Sequence, residues 1–192
     1  TTNAVCLDFN SGSSSNLTIA NNTILECGIL ISGAGGNSTL RDNNITTTIS
    51  APSRSSVILI SSTSDILLQN TTITSNTGNE YDIWLSLTRN ITIANSTIRT
   101  TVETQLTGVI VDVSNSTLIS ENDINNFGDN ILVGGISASP NKVHLDTKII
   151  RNRLNQRGVG SANACITLRP SGETVNRTDI RGNIFNCTIA IQ

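Results

Sequence analysis

Few side chains in this 192-residue sequence are equipped for acid–base or metal chemistry: 12 Lys and Arg, 14 Asp and Glu, four Cys and one His, His144. Cutting or rearranging a sugar polymer calls for paired or clustered carboxylates, a basic group and often a bound calcium ion. The best acidic group is Glu121, Asp123 and Asp129, but the run ENDINNFGDN that holds them reads equally well as a polar corner. The basic cluster, Lys148, Arg151, Arg153 and Arg157, could attract an acidic polymer, and a solvated charged coil explains it more simply. His144 has no second His beside which to hold a metal, and there is neither a CxxC pair nor a glycine-rich phosphate loop. No cofactor, no metal and no catalytic residue are therefore expected.

A second kind of chemistry is attachment. Asn-x-Ser/Thr acceptors for N-linked glycan occur at Asn16, Asn21, Asn37, Asn44, Asn70, Asn90, Asn95, Asn115, Asn176 and Asn186. A chain this rich in Asn, Ser and Thr also makes such triplets by chance. The sequence lacks Met even at position 1, which suggests a removed leader and an exported, extracellular or cell-surface protein. The net charge of -2 argues against nucleic acid, and no apolar run reaches the length of a membrane span.

What must position these residues is a repeat. One phrase recurs as NLTIANNTI from Asn16, NSTLRDNNI from Asn37, DILLQNTTI from Asp65, NITIANSTI from Asn90 and NSTLISENDI from Asn115, with looser copies KVHLDTKII from Lys142 and NRTDIRGNIF from Asn176. A second apolar run alternates with it, among its copies CGILIS from Cys27, SVILIS from Ser56, DIWLSL from Asp82 and GVIVDV from Gly108. The first phrase returns every 21 to 34 residues, too irregularly for a coiled coil and too soon for a βαβ unit. Short runs of Ile, Val, Leu and Thr bounded by Asn, Gly and Ser read as strands and turns. In NLTI, Leu17 and Ile19 share one face and Thr18 and Ala20 the other. A single coil cannot bury that apolar face, whereas coils stacked about 4.8 Å apart can. The expectation is one all-β domain over 1–192, a right-handed parallel β-helix of about seven coils with three short strands each. The Asn after each first strand (Asn21 or Asn22, Asn43 or Asn44, Asn70, Asn95, Asn122) suits a left-handed corner and a side-chain amide ladder.

The N-x-T-I-x-x-N-x-x-I cadence from Asn90 to Ile98 resembles the short repeats of the pectin-lyase-like superfamily of parallel β-helices, and the likeness covers nearly the whole chain. It implies the fold and leaves function open among lyases, glycosidases, epimerases, tailspikes, adhesins and non-catalytic surface proteins. The NTD, DD, GHG and RIK motifs of the polygalacturonases in that superfamily are missing. Aligning the second phrase sets Asp82 beside Gly108 and Asp112 beside Ser86, so no carboxylate pair forms there.

Cys6 and Cys27 lie 21 residues apart and Cys165 and Cys187 lie 22 apart, one coil each, so both pairs are expected to be disulfides, stapling the first and last coils. In the second phrase Leu30, Trp84, Ile110 and Leu132 fall on the outward side, an apolar stripe of the kind that marks a contact surface. With no capping element recognisable at either end, these features point to a homo-oligomer: a non-catalytic subunit of an extracellular filament that joins end to end and packs laterally through the stripe. The alternative is a carbohydrate-active β-helix enzyme or a tailspike- or adhesin-like glycan binder.

Overall fold

A computed structural model of the chain describes residues 5–10, 16–33, 36–48, 56–76, 81–102, 107–134, 143–156, 164–169, 174–187 and 189–191. Every regular element in them is a strand, and every strand pairing is parallel. The protein is a parallel β-helix with three faces. Face A stacks Val5–Phe9, Gly28–Ser32, Ser56–Ser61, the first halves of Tyr81–Ala94 and Thr107–Ser120, then Asp129–Val133, Ile166–Leu168 and Ile189–Ile191. Face B stacks Thr18–Ala20, Ser38–Arg41, Ser64–Gln69, the second halves of the same two long strands, Lys148–Ile150 and Asp179–Arg181. Face C stacks Thr23–Leu25, Asn44–Thr47, Thr72–Ser75, Thr97–Thr100, Asp123–Phe127, Arg153–Gln156 and Ile184–Asn186. Among the described residues no helix is long and apolar enough to cross a membrane.

Alternation within each strand and register between strands put like on like. On face C, Ile24, Ile45, Ile73, Ile98, Ile124 and Leu154 stack in one inward column, all buried. Face B does the same with Ile19, Leu40, Leu68, Ile93, Ile119 and Ile149. Each such side chain contributes about 1.5–3 kcal/mol when removed from water. One coil supplies only a handful, so stability comes from the stack.

The corners are built by left-handed residues: a column of Gly33, Ser62, Leu87 and Val113 follows face A, and two longer columns flank face B. The first, leading into face B, is Asn16, Asn37, Asp65, Asn90, Ser116, Asp146 and Arg177; the second, between B and C, is Asn21, Asp42, Asn70, Asn95, Glu121, Arg151 and Gly182. All fourteen have φ between 49° and 65°. Asn is the side chain that tolerates this region best, which is why it recurs in the sequence phrase.

Directly after the second column comes a polar ladder, Asn22, Asn43, Thr71, Ser96, Asn122, Asn152 and Asn183, buried from Asn43 to Asn152. Asn22 Nδ2 donates to Asn43 Oδ1 at 3.1 Å, Asn122 Nδ2 to Asn152 Oδ1 at 3.0 Å, and Asn152 Nδ2 to Asn183 Oδ1 at 3.0 Å. The ladder expected from sequence is therefore present but displaced. Asn70 and Asn95 stand outside it, because they occupy the exposed left-handed corner, and Thr71 and Ser96 take the rungs instead. Both expected disulfides are formed, Cys6–Cys27 and Cys165–Cys187, each with a Cα separation of 5.5 Å that the coil spacing supplies directly.

Candidate functional site

Face B carries a groove because its outward side chains sit between protruding corner columns. Register aligns Thr39, Leu67, Thr92, Leu118 and Lys148 along its floor. Two concavities adjoin on it. One, of about 370 Å³, is lined by Asn37, Ser38, Thr39, Asp65, Ile66, Leu67, Asn90 and Thr92. The other, of about 360 Å³, is lined by Asn90, Thr92, Ser116, Thr117, Leu118, Asp146 and Lys148. Asn90 and Thr92 belong to both, so the two form one open groove crossing five coils, about 19 Å at 4.8 Å per coil.

The wall is charged and hydrogen-bonded. Asn90 Nδ2 donates to Asp65 Oδ1 at 2.6 Å and Ser64 Oγ to Asp65 Oδ2 at 2.6 Å. These bonds, joined by the Arg89 charge, hold the Asp65 carboxyl below the usual carboxylate range, so it is ionised and suited to accepting hydrogen bonds. Asp146 accepts from Arg177 Nη2 at 2.8 Å, and Lys148 is exposed beside it. Under the second concavity a chain of hydroxyls, Thr88 to Ser114 and Ser114 to Thr117, each step 2.7 Å, fixes the position of Thr117. Ser38 Oγ, almost wholly buried at the edge of the first, has no hydrogen-bond partner among the described residues.

The sequence singled out none of Asp65, Ser116, Asp146 or the groove as such. Setting DTKIIRNRL, from Asp146, under NITIANSTI would have placed Asp146 and Lys148 beside Asn90 and Thr92; the copy read from the sequence, KVHLDTKII from Lys142, starts four residues too early to show it. The acidic group it favoured is dispersed into structural roles: Glu121 pairs with Arg151, Asp123 accepts from Asn125 at 2.7 Å, and Asp129 accepts from Ala164 N at 3.0 Å and Thr167 Oγ1 at 2.8 Å. Of the basic cluster, Arg153 is exposed on face C, and Arg157 lies outside the described residues. Of the ten acceptor asparagines nine are exposed and Asn115 is half-buried.

The outward stripe is correct in register and different in character. Leu30, Leu59, Trp84, Ile110 and Leu132 do align across face A. Ile110 and Leu132, however, are buried, and with Tyr81 and Trp84 they make a small second core on the outer side of the sheet. The Tyr81 and Trp84 ring centroids are 5.5 Å apart, and Trp84 and Leu30 are half-buried. A sheet apolar on both faces is covered on both, and here the chain itself covers Ile110 and Leu132, which are closed to lateral contact.

Fold and groove together define a parallel β-helix with a long polar cleft on one sheet. No family model and no curated protein matches the sequence. Among solved structures the chain is similar to the A-module of a mannuronan C-5 epimerase from Azotobacter vinelandii, at 17% identity and a TM-score of 0.40. The match covers 93% of this chain and 56% of that module, so this chain spans little more than half the module's length. A likeness at this level concerns the fold.

The expectation of a non-catalytic filament subunit that packs laterally through the stripe is corrected: of its four contact side chains, Ile110 and Leu132 are buried.

Proposed function

We propose that this protein is an extracellular, carbohydrate-binding β-helix that holds an extended glycan in the face-B groove. The observation that carries the reading is the groove itself: about 19 Å long and open, with donors, acceptors and small apolar steps repeating at the coil spacing. A sugar polymer presents hydroxyls along its edges and C–H surface on its ring faces. Asp65 and Asp146 accept from hydroxyls, and the bonds to ionised Asp65 are of the strong, charge-assisted kind. Lys148 donates, Leu67 and Leu118 meet the ring faces, and the unpartnered Ser38 hydroxyl gains a partner when a ligand or water reaches it. The two disulfides favour an oxidising compartment, where such polymers are met.

Affinity electrophoresis and calorimetric titration against a panel of neutral and acidic polysaccharides test this. Binding to at least one polymer is expected, weakened at least tenfold by Asp146→Asn combined with Lys148→Ala while the melting midpoint stays within a few degrees, since both side chains are at the surface. Binding to none, or binding indifferent to that pair of substitutions, refutes the reading. Appearance of new reducing ends, unsaturated sugars or epimerised residues during the titration would turn the binder into an enzyme using the same groove.

A further inference from the structure

The two left-handed corner columns flanking face B contain a coupling that the fold does not require. In six of the fourteen positions the residue is Asn: Asn16, Asn37 and Asn90 in the first column, Asn21, Asn70 and Asn95 in the second. In all six the residue two places on, at the outward strand position, is Thr: Thr18, Thr39, Thr92, Thr23, Thr72 and Thr97. In the other eight, where the corner is Asp, Ser, Glu, Arg or Gly, that position is never Thr; it is Leu67, Leu118, Lys148, Asp179, Asn44, Asp123, Arg153 or Ile184.

Local structure accounts for neither half of the rule. The corner accepts five residue types besides Asn at the same φ, and the strand position accepts six besides Thr in the same register. Among the described residues no hydrogen bond joins Asn to its Thr in any of the six pairs; where Asn70 and Asn90 bond, they reach a neighbouring coil, to Asp42 and Asp65. The pair is therefore read together by something other than the fold. Three coils whose corner is not Asn carry the same triplet one or two residues away, at Asn44 beside Asp42, Asn115 beside Ser116 and Asn176 beside Arg177. All ten triplets end in Thr although the chain has 23 Ser against 26 Thr, so chance assembly from an Asn-, Ser- and Thr-rich composition does not describe them.

We infer that the corner asparagines are N-glycosylation sites, retained as Asn-x-Thr acceptors. The transfer forms a bond from Asn Nδ2 to C1 of an oligosaccharide, breaks the bond from C1 to the diphosphate of its polyprenyl carrier, and releases that diphosphate with one amide proton. All six Asn are exposed, as acceptors must be to carry the product. The remaining hydrogen on Nδ2 suffices for the Asn90 bond to Asp65. The glycans would stand in two rows, along the leading edge of face B and the B–C corner. Those on Asn37 and Asn90 would overhang the N-terminal half of the groove and leave the half from Ser116 to Lys148 open to an outside ligand. Asn16 and Asn37, like Asn70 and Asn95, sit on adjacent coils about 4.8 Å apart, so full occupancy of both members of a pair is crowded.

The test secretes the whole chain from a eukaryotic host, removes N-glycans enzymatically in heavy-oxygen water and maps the labelled aspartates by mass spectrometry. Label at four or more of the six corner positions is expected, with one partner in each crowded pair less occupied. In parallel Thr97→Val, which keeps a β-branched side chain and lies outside the groove, is made in that host and in bacteria. It should abolish label at Asn95 and leave the melting midpoint of the bacterial, unglycosylated protein unchanged. Label at one or none of the six overturns the inference. So does a Thr97→Val protein that melts several degrees lower without glycan, because the Asn–Thr coupling would then be structural. Neither outcome depends on whether the groove binds a polysaccharide.

Discussion

Replacing Asn122 with Ala should cost this protein far more than replacing Asn95, although both are asparagines at the same corner of neighbouring coils. Asn122 Oδ1 accepts from Ser96 N at 2.9 Å, and its Nδ2 donates to Ile93 O at 2.9 Å and to Asn152 Oδ1 at 3.0 Å. Truncation leaves the Ser96 N–H buried and unpaired, a penalty of about 1–3 kcal/mol, and removes two further bonds worth about 1 kcal/mol each. The expected loss is about 3–5 kcal/mol. Asn95 is exposed and contributes chiefly its tolerance of a φ of 50°, so Asn95→Ala should cost about 1–2 kcal/mol. Urea unfolding followed by far-UV circular dichroism, with the slope checked for constancy across variants, measures both. Equal losses, or a larger loss for Asn95→Ala, would refute the assignment of the ladder to the residue after the left-handed corner.

Opening either disulfide by Cys6→Ser with Cys27→Ser, or Cys165→Ser with Cys187→Ser, should lower stability by about 3 kcal/mol on the chain-entropy model, with the two losses similar because the loops are nearly equal in length; denaturant titration of each double variant checks it. Ile110→Ala should destabilise by about 2–5 kcal/mol, as a buried site does, and a loss under 0.5 kcal/mol would restore Ile110 to the surface. Asp82 is wholly buried, and desolvation raises its pKa well above the ordinary value, opposed by a hydrogen bond with Ser75. Its folded state therefore holds a proton that the unfolded state gives up near pH 4, so this group's contribution falls as pH rises from about 4 towards the folded pKa. Asp82→Asn should accordingly gain on the native protein as pH rises through that window, and a gain in the opposite direction, seen in melting midpoints across pH, would show the carboxylate to be ionised and held.

Most of the fold was legible because the same local requirements recur in every coil. The inward Ile of NLTIANNTI and NITIANSTI, the left-handed Asn that follows, and the one-coil Cys spacing each state a constraint that neighbouring residues alone impose. Where sequence reading slipped, the missing information was three-dimensional. The choice between Asn21 and Asn22 as the ladder residue depends on which of two adjacent side chains turns inward at a left-handed corner. The stripe through Trp84 was placed in correct register, but whether Ile110 and Leu132 meet water depends on what the chain folds over them. The groove was missed for a related reason: Asp65, Asn90, Ser116, Asp146 and Lys148 are unremarkable one by one in sequence and meet only because coil stacks on coil in a fixed register.

The most direct test of glycan binding is a two-dimensional ¹H–¹⁵N correlation spectrum of the isotope-labelled protein, titrated with oligosaccharides from whichever polymer binds. Shifts confined to the amides lining the groove, from Ser38, Asp65 and Leu67 through Asn90, Thr92, Ser116, Thr117 and Leu118 to Lys148, are expected. Shifts centred on Tyr81, Trp84 and Leu30, or no shifts at saturating sugar, would place binding on face A or nowhere and contradict the face-B groove as the functional site.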